Sequence, residues 1–304
     1  MSYDVSLRPR PGAAAPSIAE LDAYFAGRPH TQASEGSARY ANEDTEVGFG
    51  WCYDERQRSY DDSGPIALTA RTSGNDTRAL ELVGEVEAVV RAFDLLVDDP
   101  TMNGMGQGEL DREALLRGCL FASRFGLCVD VATGSLAPAE VPLYDDERHV
   151  AHWRWNLGRA ALQREATDAV FVPRVDYMRH GDEVLASVAW VGQGPILLPE
   201  VDVITTIDTR DGGADLVVLR VAELAAALAA MPRRDAPLPH RFVEPSDPLV
   251  AALAAATPLQ PRPTQLSHDS VLGRRYAEEV AAQYYEWTSR EHRIAFGPAS
   301  ARGG

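Results

Sequence analysis

The amino-acid sequence predicts an α+β protein with antiparallel or mixed sheets, covering helices and a helical C-terminal extension. Three observations carry that reading. Short stretches alternate at period two; "VGFGWCYDE" (47–55) puts Val47, Phe49, Trp51 and Tyr53 on one face and Gly48, Gly50 and Cys52 on the other. Longer stretches place apolar residues at helical spacing, above all 77–97, where Val83, Val86, Val90, Phe93 and Val97 form a stripe. Strands also arrive in runs instead of one per helix, which argues against a doubly wound parallel sheet.

Taken in order, "SYDVSLR" (2–8) alternates as an edge strand does. A helix follows over 17–28, with Ser17 as N-cap and Glu20 completing a capping box. Strand-like pieces come at 38–41, 47–54 and 66–71. The helix over 77–97 stops ahead of Pro100, with Glu81, Glu85 and Glu87 away from its apolar stripe. After the glycine-rich "GMGQG" (104–108) come two more helices. One covers 111–125, with Leu116, Cys119 and Leu120 inward; the other covers 146–165, with Val150, Trp153, Leu157 and Ala161 on one stripe. From 169 the pattern returns to strands, "AVFVPRVDYM", "EVLASVAW", "PILLPEVDVITTI" and "LVVLRV", read as an antiparallel meander closed by the helix "AELAAALAAM". Residues 232–263 hold eight of the twenty prolines and read as an extended linker, open to interruption by a short helix at "DPLVAALAAAT". A last amphipathic helix over 270–291 sets Tyr276, Val280, Tyr284 and Trp287 on one stripe. The organisation expected is a unit over 1–165, a meander over 166–231 packed on it as the same body, and an extension over 232–304.

Composition narrows the chemistry. With 45% hydrophobic and 24% charged residues among 304, the chain has ample material for a core. No apolar run approaches the roughly 20 residues of a membrane span, and no signal peptide is read at the N-terminus, so the expectation is a cytoplasmic protein. Three cysteines, Cys52, Cys119 and Cys128, cannot all pair and read as free thiols. The net charge of −16 argues against nucleic acid, which needs a basic surface. The acidity is concentrated: residues 41–110 hold 15 Asp/Glu against 5 Arg, a net −10. Every basic side chain that is not histidine is arginine, and there is no lysine. That removes Schiff-base and pyridoxal-phosphate enzymes, the P-loop and protein kinases, each of which uses the ε-amine. No cofactor is implied.

The candidate sites are few. "NEDTEVGF" carries Glu43, Asp44 and Glu46, which with Asp54, Glu55, Asp61 and Asp62 form the expected acidic contact for a basic partner. Neighbouring carboxylates at a strand end cannot face each other across a substrate as an acid/base pair must, and the segment also reads as a charged strand entry. "DDERHVAH" places His149 and His152 at i, i+3, a spacing that can share a divalent metal, but no third ligand is evident and the upstream acids suit a helix start with surface histidines. Asp176 and Asp202 in strand patterns form a rival hydrolytic set with Glu200; in the alternative, one pairs with an arginine such as Arg174 or Arg179 and the others lie on the solvated face. "GMGQG" could cradle a phosphate through its N–H groups, or simply connect.

Four segments, "NEDTEVGF", "AFDLLVDDPTMNGMGQGE", "RWNLGRAALQ" and "VFVPRVDYMR…PILLPEVDVI", occur in the same order as in a family of bacterial proteins that the chain resembles over residues 1–231. The resemblance implies one body there and carries no activity, cofactor or catalytic residue. The expectation is therefore a non-enzymatic, acidic protein-binding module of inhibitor or immunity type. The rivals are a hydrolase using the carboxylates or histidines above, and a structural subunit that docks through its C-terminal helix.

Overall fold

The computed structural model describes residues 2–54, 56, 65–101, 103–190, 194–208, 215–235, 239–288 and 293–298. The fold is α+β. Its contacts divide the chain into two units, Met1–Val141 with Leu272–Gly297, and Pro142–Val271 with Pro298–Gly304. No helix among the described residues is long and apolar enough to cross a membrane.

The first unit contains β1 (Ser2–Pro9), α1 (Ile18–Ala26), β2 (Thr31–Ser34), β3 (Ser37–Asn42), β4 (Val47–Cys52), β5 (Ile66–Arg71), α2 (Asp76–Phe93), β6 (Leu95–Asp99), β7 (Gly106–Gly108) and α3 (Arg112–Ala132). The second contains β8 (Leu143–Tyr144), α4 (Asp146–Glu165), β9 (Val175–His180), β10 (Glu183–Ala189), β11 (Ile196–Pro199), β12 (Val203–Asp208), β13 (Asp215–Arg220), α5 (Ala225–Ala229), β14 (Arg233–Arg234), β15 (His240–Val243), α6 (Asp247–Ala255) and β16 (Thr264–Leu266). The chain then returns to the first unit as β17 (Leu272–Gly273) and α7 (Arg274–Trp287).

These boundaries correct three expectations. α4 belongs with the strands that follow it, so the first unit closes near 141 and not 165. The meander is a second core, not an addition to the first, because Trp155, Tyr177, Trp190, Ile204 and Val243 pack into one cluster. The proline-rich stretch is more than a linker: beside the short helix read there, α6, it supplies β14 and β15 to that unit, and β16 follows, while α7 joins the other.

In the first unit β1 to β7 form one antiparallel sheet, in the order β2-β3-β4-β5-β1-β6-β7. The large face of β4 is buried at Val47, Phe49, Trp51 and Tyr53, as its alternation predicts. α1 starts with the expected capping box of Ser17 and Glu20. α2 is shorter than its hydrophobic pattern suggests. Asp94 adopts a left-handed conformation and donates its N–H to the Val90 carbonyl, ending the helix, and "LLVDD" becomes β6 beside β1. α7 lies against α3: Arg124 pairs with Glu279, Gln283 donates to the Phe121 carbonyl, and Trp287 meets Phe125 edge-on at 5.1 Å. Tyr276, Val280 and Tyr284 of the stripe are buried, while Trp287 at its end stays 46% exposed.

Two buried carboxylates organise this unit. Glu81, expected at the surface, is 4% exposed. Its Oε1 accepts from Tyr40 Oη at 2.6 Å, Asn42 Nδ2 at 2.9 Å and Thr45 Oγ1 at 3.0 Å, tying the β3–β4 turn to α2. Asp99 accepts from the backbone N–H groups of Thr101 and Met105. A Cβ on Gly104 would sit 2.1 Å from its Oδ2, so only glycine lets the loop approach. The glycine-rich segment thus gives one N–H, that of Met105, to the protein's own side chain.

In the second unit the sheet runs β13-β12-β10-β9-β16, with β10 and β12 parallel, so it is mixed and not a plain meander. The physical reason is that β11 leaves to pair with β15 in a separate sheet with β14.

Replacing Glu81 by Ala strands three donors in the core and removes the side chain that holds the turn. We expect Glu81→Ala to lower the unfolding free energy by about 3–5 kcal/mol, and Glu43→Ala in the same turn to change it by less than about 0.5 kcal/mol. Chemical denaturation of both variants checks this; a loss below about 1 kcal/mol for Glu81→Ala would refute the hub.

Candidate functional site

The acidic turn is built from the inside outward. Asn42 and Thr45 face Glu81, and the Asn42 side chain also accepts the Asp44 N–H, closing an Asx turn. Glu46 takes a left-handed φ of 60° to complete the reversal into β4. Glu43 is left exposed and Asp44 and Glu46 half-buried. Asp54, placed in the same contact by the sequence, departs from it: it is buried and held by Arg56 at 2.7 Å. It lies under Gly36, whose left-handed φ of 78° and close approach leave no space for a side chain. Glu55, Asp61 and Asp62 lie outside the described residues.

The histidine pair is real, and it is not a surface feature. α4 buries His149, His152, Trp155 and Asn156, while Leu157 of the expected apolar stripe is exposed. Burial of a polar stripe is tolerable only where each group finds a partner. His152 Nε2 lies 2.8 Å from the Glu200 carbonyl, which can only accept. That makes Nδ1 of a neutral ring an acceptor, filled by Tyr177 Oη at 3.3 Å. The Tyr177 oxygen in turn lies 3.1 Å from His149 Nδ1, which therefore carries the proton. The result is a directional chain from His149 through Tyr177 and His152 to a backbone carbonyl, with tautomers assigned from partner chemistry. Asn156 serves the strand start, accepting from Val175 N–H and donating to its carbonyl, to which His268 Nε2 also donates at 2.7 Å.

Burial pushes the His149 pKa down to about 3, with His268 and His152 adding repulsion, and that of His152 down to about 4 against the opposing hydrogen bond to Glu200. Both rings are neutral at pH 7. Among the described residues no three His, Cys, Asp or Glu side chains converge as metal ligands would.

No family model, curated protein or solved structure matches this chain.

The rival carboxylates are dispersed over three different arginines. Asp176 pairs with Arg174 at 2.5 Å, as one sequence alternative expects, Glu200 with Arg233 at 2.8 Å, and Asp202 with Arg148 at 2.8 Å. Asp202 also accepts from Tyr144 Oη and the Ala186 N–H. Burial pushes the Cys119 and Cys128 thiols up to about 12, away from the thiolate a nucleophile needs. Sequence reasoning missed Glu81, Asp99, Asn156, Tyr177 and His268. One signal was present: His149, His152 and Asn156 stand at i, i+3 and i+7, a polar stripe at the spacing of a buried face.

The neutral imidazoles set a pH response. Above pH 6.5 they are uncharged whether the chain is folded or not, and contribute no pH dependence. Below it the unfolded chain takes up protons that the folded chain refuses until about pH 4 for His152 and about pH 3 for His149, so stability falls as pH falls through that window. The loss at pH 5 is about 2 kcal/mol per imidazole. Denaturant melts at pH 7 and pH 5 should show a markedly smaller drop for the double variant His149→Phe/His152→Gln than for the natural chain, and equal drops would mean that these rings are not held neutral.

Proposed function

We propose that the protein is a non-enzymatic binding module of inhibitor or immunity type, working in the cytoplasm, whose acidic β3–β4 turn engages a basic surface on a partner protein. The observation that carries this reading is the division of labour within residues 42–46. Asn42 and Thr45 bond Glu81 on the inside of the turn, and Glu43, Asp44 and Glu46 set three carboxylates on the same short turn, Glu43 exposed and the other two half-buried. A preformed anionic turn loses little conformational freedom on association. Complementary charge at such a rim raises the association rate and selects against acidic partners.

The surface involved is narrower than the charge of residues 41–110 suggests. Glu81, Asp99 and Asp54 are buried, Glu85 and Glu87 pair with Arg28 and Arg91, and Asp94 pairs with Arg10.

The test is a charge reversal at the turn. A partner captured at low salt, identified and purified should associate at least about tenfold more slowly with the triple variant Glu43→Arg/Asp44→Arg/Glu46→Arg than with the natural chain, and with a flatter dependence on salt. Stopped-flow measurements over a salt series read both quantities. An unchanged rate and slope would sink the proposal.

A further inference from the structure

The hairpin of β14 and β15 opposes like charges. Arg233 stands directly across from Arg241. Directly opposed like charges destabilise an antiparallel pair, and here they occur in a chain whose net charge is −16. Arg233 and Arg241 also line a cavity of about 190 Å³ in the second unit. His240, buried and packed against Trp155, contributes to the same wall. The rest of the lining is largely apolar, with Leu198, Val201 and Leu228 prominent.

The two guanidinium groups are not equally committed. Arg233 meets Glu200 at 2.8 Å and Asp235 at 3.1 Å, both carboxylates being largely exposed. Arg241 donates to the Met231 carbonyl at 3.0 Å, and among the described residues no carboxylate pairs with it. A guanidinium fork matches a carboxylate in two parallel hydrogen bonds. The cavity behind it has space for about six heavy atoms, taking the roughly 30 Å³ that a water molecule occupies in the liquid.

We propose that this cavity binds a small organic carboxylate with a short apolar chain, its carboxylate on Arg241 and its chain against Leu198, Val201 and Leu228. Glu200 is the internal competitor. Its carboxylate reaches Arg233 from the cavity rim, where solvent screens the pair, and it repels an incoming anion. This site is in the second unit and does not depend on the acidic turn.

The experiment is a calorimetric or NMR titration of the full chain with isovalerate, with n-butanol and inorganic phosphate as comparisons. Isovalerate should bind, with shifts confined to the cavity residues. Arg241→Ala should weaken it about tenfold or more, the loss expected for a charge-assisted pair. Arg241→Lys, which keeps the charge and loses the fork, should also weaken it, and serves if the alanine variant does not fold. Glu200→Gln should tighten binding several-fold, an effect that a purely structural role for Glu200 does not give. The proposal is overturned if isovalerate does not bind, if phosphate or n-butanol binds as well, or if Glu200→Gln weakens the complex.

Discussion

One carboxylate oxygen, Oε1 of Glu81, holds the β3–β4 turn against α2, and the outer acidic edge of the first unit follows from it. Three donors converge on that atom from Tyr40, Asn42 and Thr45. A charge in a protein interior is costly unless hydrogen bonds replace its hydration, so the turn and the helix must form together or not at all. The left-handed backbone at Glu46, unfavourable for a side-chain-bearing residue by about 1–2 kcal/mol, is held by the same arrangement. The carboxylates at the surface inherit their positions from the one inside.

The second unit solves the same problem with neutral groups. α4 presents a stripe of imidazole and amide instead of an aliphatic one, and β9 answers with a phenol and with the bare backbone of Val175. Asn156 pairs with both backbone groups of Val175, the part a neighbouring strand would play. The network is specific because it is directional: once the Glu200 carbonyl fixes the His152 tautomer, each proton along the chain has one place. Aliphatic side chains of equal size would bury as well but would allow α4 to slide or rotate on β9.

Much of this architecture was legible from periodicity alone. The buried face of β4, the Ser17 capping box and the stripe of α7 are where their spacing puts them, because each depends on neighbours within a few residues. Unit boundaries were not legible. Whether α4 packs on residues before or after it depends on partners far away in sequence, and its aliphatic residues pointed to the wrong face. Tyr177 and His268 are 25 or more residues from His152, and no local pattern joins them. The glycine-rich loop left two readings open, a connection or a phosphate cradle, and only the fold could reveal that Asp99 takes up its Met105 N–H. Charge was the most misleading signal, since Glu81, Asp99 and Asp54 count toward a net −10 segment while contributing nothing to the exposed surface.

That distinction bears on how an acidic protein selects partners. Net charge summed over sequence is not the potential a partner meets. Exposed charges separated by more than about 8 Å at physiological salt are largely screened from one another. Carboxylates scattered over a domain therefore act singly, each attenuated, and several here are further balanced by arginine. Glu43, Asp44 and Glu46 differ in being spaced by one or two residues on a single turn, where consecutive Cα atoms lie about 3.8 Å apart. They fall within one screening length and act on an approaching cation as a group. The rigidity imposed by Glu81 keeps them there, since a mobile turn would let mutual repulsion drive the three apart. A buried acid thus raises the local field by keeping three carboxylates close on one turn, so the potential at this edge and the stability of the fold have the same origin.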